Sequence, residues 1–237
     1  MPDAPVQHPV YENATEALGH TDDFYRSGGF TYTAEQVQKW LVLIFGKPPV
    51  GRVLDLCCGD GVWSEGLSIW APDAELYGID ISKGAIETSL ARLGRDADQR
   101  FRVGDCESDL PWTEGFFDTI LARGPGLYNQ HRMDRPATVS VIECWHRVMR
   151  SGGTMYSVFA SDPERFGTYT NPLLVKLPYN RAPRLTDAVD FTGGKYHHDT
   201  TSFLAPFASA AGVEIKDYKF VRKNHVLKTQ RSMDTGV

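Results

Sequence analysis

The sequence predicts an α/β fold: a doubly wound, mostly parallel seven-stranded sheet that ends in an antiparallel C-terminal hairpin. Three observations predict it. Short apolar runs alternate with helical segments from residue 52 to residue 159, the pattern of a parallel sheet covered on both faces. A glycine-rich bend follows the first of those runs. Near the end, two strand-like runs at 213–222 and 225–231 are separated only by Lys223 and Asn224, the spacing of a tight hairpin.

Residues 1–32 read as an arm or lid. They are polar and broken by Pro2, Pro5 and Pro9, and Gly28-Gly29 forms a hinge between Tyr25 and Tyr32. A helix begins after Thr33, which has capping-box spacing to Gln36. Val37, Trp40, Leu41, Ile44 and Phe45 then mark one helical face, and Gly46 with Pro48 and Pro49 ends it. Strands are expected at 52–57, 75–80, 100–105, 117–123 and 154–159, with helices at 62–70, 83–94 and 136–150. Pro136 suits the first turn of its helix, and Gly152-Gly153 reads as the stop. These elements form a core over 33–160. Residues 161–199 carry Pro163, Pro172, Pro178 and Pro183 among five aromatic residues, and read as a substrate lid or insertion. A helix at 201–211 and the hairpin complete the sheet within 200–237.

A chain of 237 residues is long enough for one domain with a full core, or one domain and a lid. The formal net charge is -5, so no basic surplus points to a nucleic-acid polymer as partner. Cys57, Cys58, Cys106 and Cys144 make no CxxC pair and no zinc spacing, which suits a reducing cytoplasmic setting and no metal. The first residues lack the basic and apolar stretches of a signal peptide, and no apolar run approaches membrane-spanning length. A second copy of the chain is a candidate partner.

The chemistry concentrates in VLDLCCGDG at 53–61. An apolar strand there runs into a bend whose Gly59 and Gly61 allow a ligand close to the backbone. In open α/β sheets, ligands sit at the carboxyl ends of the strands near the switch in strand order. Asp80 ends the next strand, where a carboxylate accepts the ribose hydroxyls of an adenosine-containing cofactor. A dinucleotide loop would place a pyrophosphate at the following helix N-terminus. Here Asp55 and Asp60 lie in and beside the bend, and Ser64 replaces the third fingerprint glycine. Carboxylates there favour a ligand with an ammonium and a sulfonium over a diphosphate.

With these motifs in order, the chain resembles the class I, Rossmann-like S-adenosylmethionine-dependent methyltransferases. The resemblance runs from about residue 52 to 159, and more loosely to the hairpin. It rests on DLCCGDG at 55–61 and YGIDIS at 77–82. It rests further on GDC at 104–106 with LPW at 110–112 and FFD at 116–118, and on MRSGG at 149–153. It implies S-adenosyl-L-methionine as cofactor. Asp55 would lie near the methionine ammonium. The backbone of Cys57, Gly59 and Gly61, beside Asp60, would line the methionine and ribose. Asp80 would hold the ribose, and Ile81 would pack on the adenine. Asp105 and the Cys106 N–H would read the adenine edge, and Arg123 would border the sulfonium. Cys57 departs from the family pattern, which has glycine there.

Candidate bases or acceptor anchors are Tyr128 and His131, past the fourth strand, and His197 or His198, before the last helix. The expected activity is methyl transfer to a small-molecule acceptor at O, N or C. The alternatives are a macromolecular acceptor (tRNA or protein) and a non-catalytic cofactor-binding module. An Asn-Pro-Pro-Tyr type signature is missing at 123–129, which argues against amino-group methylation of DNA bases.

Overall fold

A computed structural model describes residues 32–108, 110–128, 136–160, 200–221 and 224–233. The arm at 1–31, the segment with His131, and the insertion with His197 and His198 lie outside the described residues.

Helix α1 spans Ala34–Phe45. The Thr33 hydroxyl accepts from the Gln36 N–H at 3.3 Å, and the Gln36 side chain accepts from the Thr33 N–H at 3.1 Å. The predicted capping box is therefore complete. Val37, Leu41, Ile44 and Phe45 form the buried face. The strands are β1 (Gly51–Leu56), β2 (Ala74–Asp80), β3 (Phe101–Val103), β4 (Phe117–Arg123), β5 (Met149–Ala160), β6 (Val213–Val221) and β7 (Asn224–Arg231). The helices between them are α2 (Val62–Trp70), α3 (Lys83–Leu93), α4 (Pro136–Arg147) and α5 (Thr200–Ser209).

The sheet order is β3-β2-β1-β4-β5-β7-β6. Strands β1 to β5 pair in parallel, and β7 lies antiparallel between β5 and β6. The chain winds outward from β1 to β3, then crosses to β4 on the other side of β1. The crevice at the carboxyl ends of β1 and β4 is the switch point of an open α/β sheet.

Alternate residues of each strand feed two cores. Leu54, Leu56, Ile120, Ala122 and Met155 pack with Trp145 of α4 and Phe207 of α5 on one face. Val53, Leu121, Val158 and Val226 pack against α1 and α2 on the other. At the amino ends of the strands, the Asp118 carboxylate accepts from the Arg52 N–H at 2.8 Å and pairs with Arg150, tying β1, β4 and β5 together.

Three element limits differ most from the sequence reading. Helix α4 ends at Arg147, and β5 starts at Met149 instead of residue 154. The pattern misleads because Val148 and Met149 are fully buried in strand-like backbone just where a helical face would continue. The Phe117 N–H donates to the Val148 carbonyl at 2.9 Å, and Met149 pairs with Phe117. Gly152, at φ 73°, bends the strand and does not stop a helix. Strand β3 covers three residues only, so Asp105 lies beyond it.

Candidate functional site

The carboxyl ends of β1, β2 and β3 meet at the glycine bend. Cys57, Gly59 and Gly61 have φ of 61°, 56° and 76°, so three of five consecutive residues adopt the left-handed region. That conformation is free for glycine and costs a side-chain-bearing residue roughly 1–2 kcal/mol. Cys57 therefore occupies a backbone position built for glycine.

Asp80 ties the bend to β2. One carboxylate oxygen accepts from the Gly59 N–H and the other from the Ser82 N–H, both at 2.9 Å. Ser82 in turn caps α3 by accepting from the Ala85 N–H at 3.1 Å. Ser89 of α3 donates to the Gly59 carbonyl at 2.8 Å, so both peptide groups of Gly59 are held.

Asp55 lies two peptides inside β1, buried, on the α2 face. The Ser64 hydroxyl donates to it at 2.6 Å. Burial raises its pKa to about 6, against the lowering effects of Ser64 and Arg123, with Asp80 and Asp60 adding to the rise. The three carboxylates thus share one field, in which a cationic ligand relieves mutual repulsion.

Asp60 accepts from the Val62 N–H at 3.3 Å and faces Arg92 of α3 at 3.5 Å. Its carboxylate occupies the first turn of α2, where a pyrophosphate would otherwise dock. The donor set therefore fits a positively charged nucleoside and opposes a diphosphate.

Beyond β3, Asp105 is partly exposed and accepts from the Glu107 N–H at 2.9 Å. The Cys106 carbonyl accepts from the Trp145 indole N–H at 2.6 Å, which fixes this loop to α4. Ile81 is half-buried beside Asp80. Arg123, at the tip of β4, stacks over the Trp63 ring at 4.8 Å.

Tyr128 lies in a 3-10 turn (Gly126–Tyr128) and is only 5% exposed. Its ring packs on Trp145 and Phe207, and burial pushes its pKa well up, against a contact with Ser157. Tyr128 therefore packs in the core cluster on the α4 and α5 face of the sheet. Among the described residues, no three His, Cys, Asp or Glu side chains come together to hold a metal ion, and no helix is long and apolar enough to cross a membrane.

Sequence reasoning missed three features of the site. One is Ser64 as partner of Asp55, although a hydroxyl in place of the third fingerprint glycine was a signal. Another is Trp63 beneath Arg123. The third is a contact between Cys57 and Cys106, which are separated by 49 positions that no local pattern bridges.

Comparison with known proteins decides between the ligand classes. Residues 53–153 match the family described as methyltransferase domain. Residues 53–153 thus carry a methyltransferase domain. The carboxylate-lined bend within it suits S-adenosylmethionine as the cofactor.

This methyltransferase domain has several curated relatives. The demethylmenaquinone methyltransferase of Lactococcus lactis subsp. lactis (strain IL1403) is 32% identical over 114 residues, covering 47% of this chain and 42% of the relative. That of Geobacillus kaustophilus (strain HTA426) is 29% identical over 184 residues, covering 71% and 74%. Ribosomal RNA large subunit methyltransferase G of Streptomyces coelicolor is 36% identical over 111 residues, covering 45% and 28%. The alignments thus span between about a quarter and three quarters of these relatives. The methyltransferase domain also shares its fold with the [4+2]-cyclase SpnF, at TM-score 0.64 and 14% identity, over 95% of this chain and 98% of that one. An S-adenosylmethionine-dependent methyltransferase from Mesorhizobium loti superposes at TM-score 0.57 and 14% identity, over 84% and 100%.

Proposed function

We propose that this chain moves a methyl group from S-adenosylmethionine to an O, N or C atom of a small molecule. The observation that carries the reading is the carboxylate-lined bend, where Asp80 holds the Gly59 N–H and Asp60 fills the α2 N-terminus. In this reading Asp80 accepts from the ribose hydroxyls and Asp55 faces the methionine ammonium. The backbone of Cys57, Gly59 and Gly61 lines the methionine and ribose, with Asp60 holding the bend in shape. Ile81 packs on the adenine, while Asp105 and the Cys106 N–H read its edge. Arg123 borders the side where the acceptor arrives.

The cofactor supplies an electrophilic methyl group on its sulfonium. The protein's own work is to align the acceptor in line with that methyl and to keep water away. A base is required only when the acceptor sheds its proton early. His131 and His197 are the candidates for that task, with Tyr128 as a wall of the acceptor side.

A small-molecule acceptor is supported by the formal net charge of -5 and by the Geobacillus relative, which aligns over most of both chains and is named for a small molecule. The Streptomyces relative favours a second reading, with RNA as acceptor, but its match spans only 28% of that protein.

Calorimetry with S-adenosylhomocysteine and with NAD tests the cofactor, and binding of NAD alone would reject it. Incubation of cell extract with labelled S-adenosylmethionine then tests the acceptor. Label in the small-molecule fraction is expected. Label in RNA or protein would establish the macromolecular reading, and binding without transfer would leave a non-catalytic module.

A further inference from the structure

We propose that Cys57 and Cys106 form an oxidisable dithiol whose closure to a disulfide weakens cofactor binding. The gating half of this proposal rests on the cofactor reading above.

The two sulfur atoms lie 2.8 Å apart. They come from different sides of the groove: Cys57 opens the bend after β1, and Cys106 follows β3. In the sheet, β2 lies between those strands, with Asp80 at its tip. The thiol pair therefore spans the place where the adenosine half of the cofactor would lie.

Cys58 and Cys144 do not share this arrangement. Cys58 belongs to the core on the opposite face of the sheet, whereas Cys57 and Cys106 share one. Cys144 points at the Ser108 carbonyl, 3.5 Å away. Cys57 also sits in a left-handed conformation (φ 61°), a position that glycine fills at least strain. Its side chain adds nothing to that turn, yet it meets a second thiol. Cys106 is held firm, because Trp145 donates to its carbonyl at 2.6 Å.

A small disulfide such as oxidised glutathione supplies the oxidising equivalents. Cys57 is the more exposed thiol and exchanges first: its thiolate attacks one glutathione sulfur, and one glutathione thiol leaves. The Cys106 thiolate then displaces the second glutathione from the mixed disulfide. The products are one Cys57–Cys106 bond and two glutathione thiols, which take up the two protons that the cysteines lose. The contact with the Cys106 thiol, and then burial, raise the Cys57 pKa, so exchange is slow at neutral pH and faster in base. The new bond pins the β1 bend to the β3 loop and removes the freedom the groove needs to admit a ligand. Linkage requires the reverse effect too: bound cofactor opposes oxidation by the same factor.

The full-length protein is equilibrated in glutathione buffers of graded potential, with and without S-adenosylhomocysteine. Free thiols are then alkylated and tryptic peptides mapped. The expected link joins peptide 53–83 to peptide 103–123. Affinity for S-adenosylhomocysteine is expected to fall about tenfold on oxidation and to return with reductant. The ligand should then raise the midpoint potential by about 30 mV, the equivalent of tenfold for a two-electron couple.

Cys57→Ser and Cys106→Ser, each compared with itself, should bind alike in both buffers, whereas Cys144→Ser should keep the redox response. Absence of the linked peptide, its persistence in Cys57→Ser through Cys58, or a linked protein of unchanged affinity would overturn the proposal. If the reduced protein ignores S-adenosylhomocysteine, the cofactor reading fails and gating fails with it, while the peptide map still decides the dithiol.

Discussion

Ser64 donates its hydroxyl to the buried carboxylate of Asp55 at 2.6 Å, linking the first turn of α2 to the strand before it. The carboxylate is 3% exposed, so this bond stands in for water that the site excludes. Ser64→Ala leaves a buried acceptor without its donor, which costs about 1–3 kcal/mol. Urea denaturation at pH 7 should show a lower midpoint with an unchanged slope. An unshifted midpoint would mean that Asp55 finds another partner.

Acidity should act on the stability of the fold in two opposite ways. Asp55 has a folded pKa of about 6, raised by burial from 3.8. Its contribution to stability is full below 3.8 and lost as pH rises through about 6. His146 is buried between the Ile142 carbonyl and the Thr229 hydroxyl, each 2.8 Å away, and burial lowers its pKa from 6.5 to about 4. Its contribution is present above 6.5 and lost as pH falls through about 4. The two oppose each other between pH 4 and 6. Asp55→Asn removes the first, so its melting temperature should drop more steeply on acidification than that of the wild type. Affinity for S-adenosylhomocysteine should fall below about pH 6 in the wild type, where the carboxylate that faces the ammonium is neutralised. A wild-type affinity that is flat from pH 8 to pH 5 would remove Asp55 from the ammonium site.

Asp80 joins ligand binding to loop structure, and two variants separate the roles. Asp80→Ala removes acceptors for the Gly59 and Ser82 N–H groups as well as for a ribose. S-adenosylhomocysteine affinity should fall at least about tenfold, or roughly 1.4 kcal/mol. Asp80→Asn keeps one carbonyl acceptor and should fall between the two. Equal affinity in a folded Asp80→Ala protein would refute the ribose assignment.

Much of this architecture is legible in the sequence because strand, bend and helix each leave a local mark. The Thr33–Gln36 box, the limits of α2 and the limits of β4 all follow from neighbours within one turn or one strand. Local pattern fails where two buried elements abut. The α4–β5 junction shows this, since Val148 and Met149 satisfy a helical face and a strand equally. It fails again wherever the decisive partner is distant in the chain. Asp55 and Asp80 stand out as acids at strand ends, but their hydrogen bonds to Ser64 and Gly59 depend on how the bends close. Tyr128 is a candidate base or acceptor anchor in the sequence because it follows β4. That its ring packs on Trp145 and Phe207, from two later helices, is not legible in the local pattern.

The left-handed turn at Cys57 gives the sharpest stability test of the site. With φ at 61°, Cys57→Gly removes backbone strain of roughly 1–2 kcal/mol. The same change frees the unfolded chain, at a cost of about 0.4–1 kcal/mol, and gives up a half-buried side chain. These effects nearly cancel, so the glycine variant should stay within about 1 kcal/mol of the wild type. Cys57→Val keeps the strain and adds a β-branch that this region of backbone tolerates poorly. It should lose more than about 1 kcal/mol in the same denaturation experiment. If valine proves as stable as cysteine, the bend does not hold its left-handed form in solution, and the tight approach of a ligand to its backbone loses its structural basis.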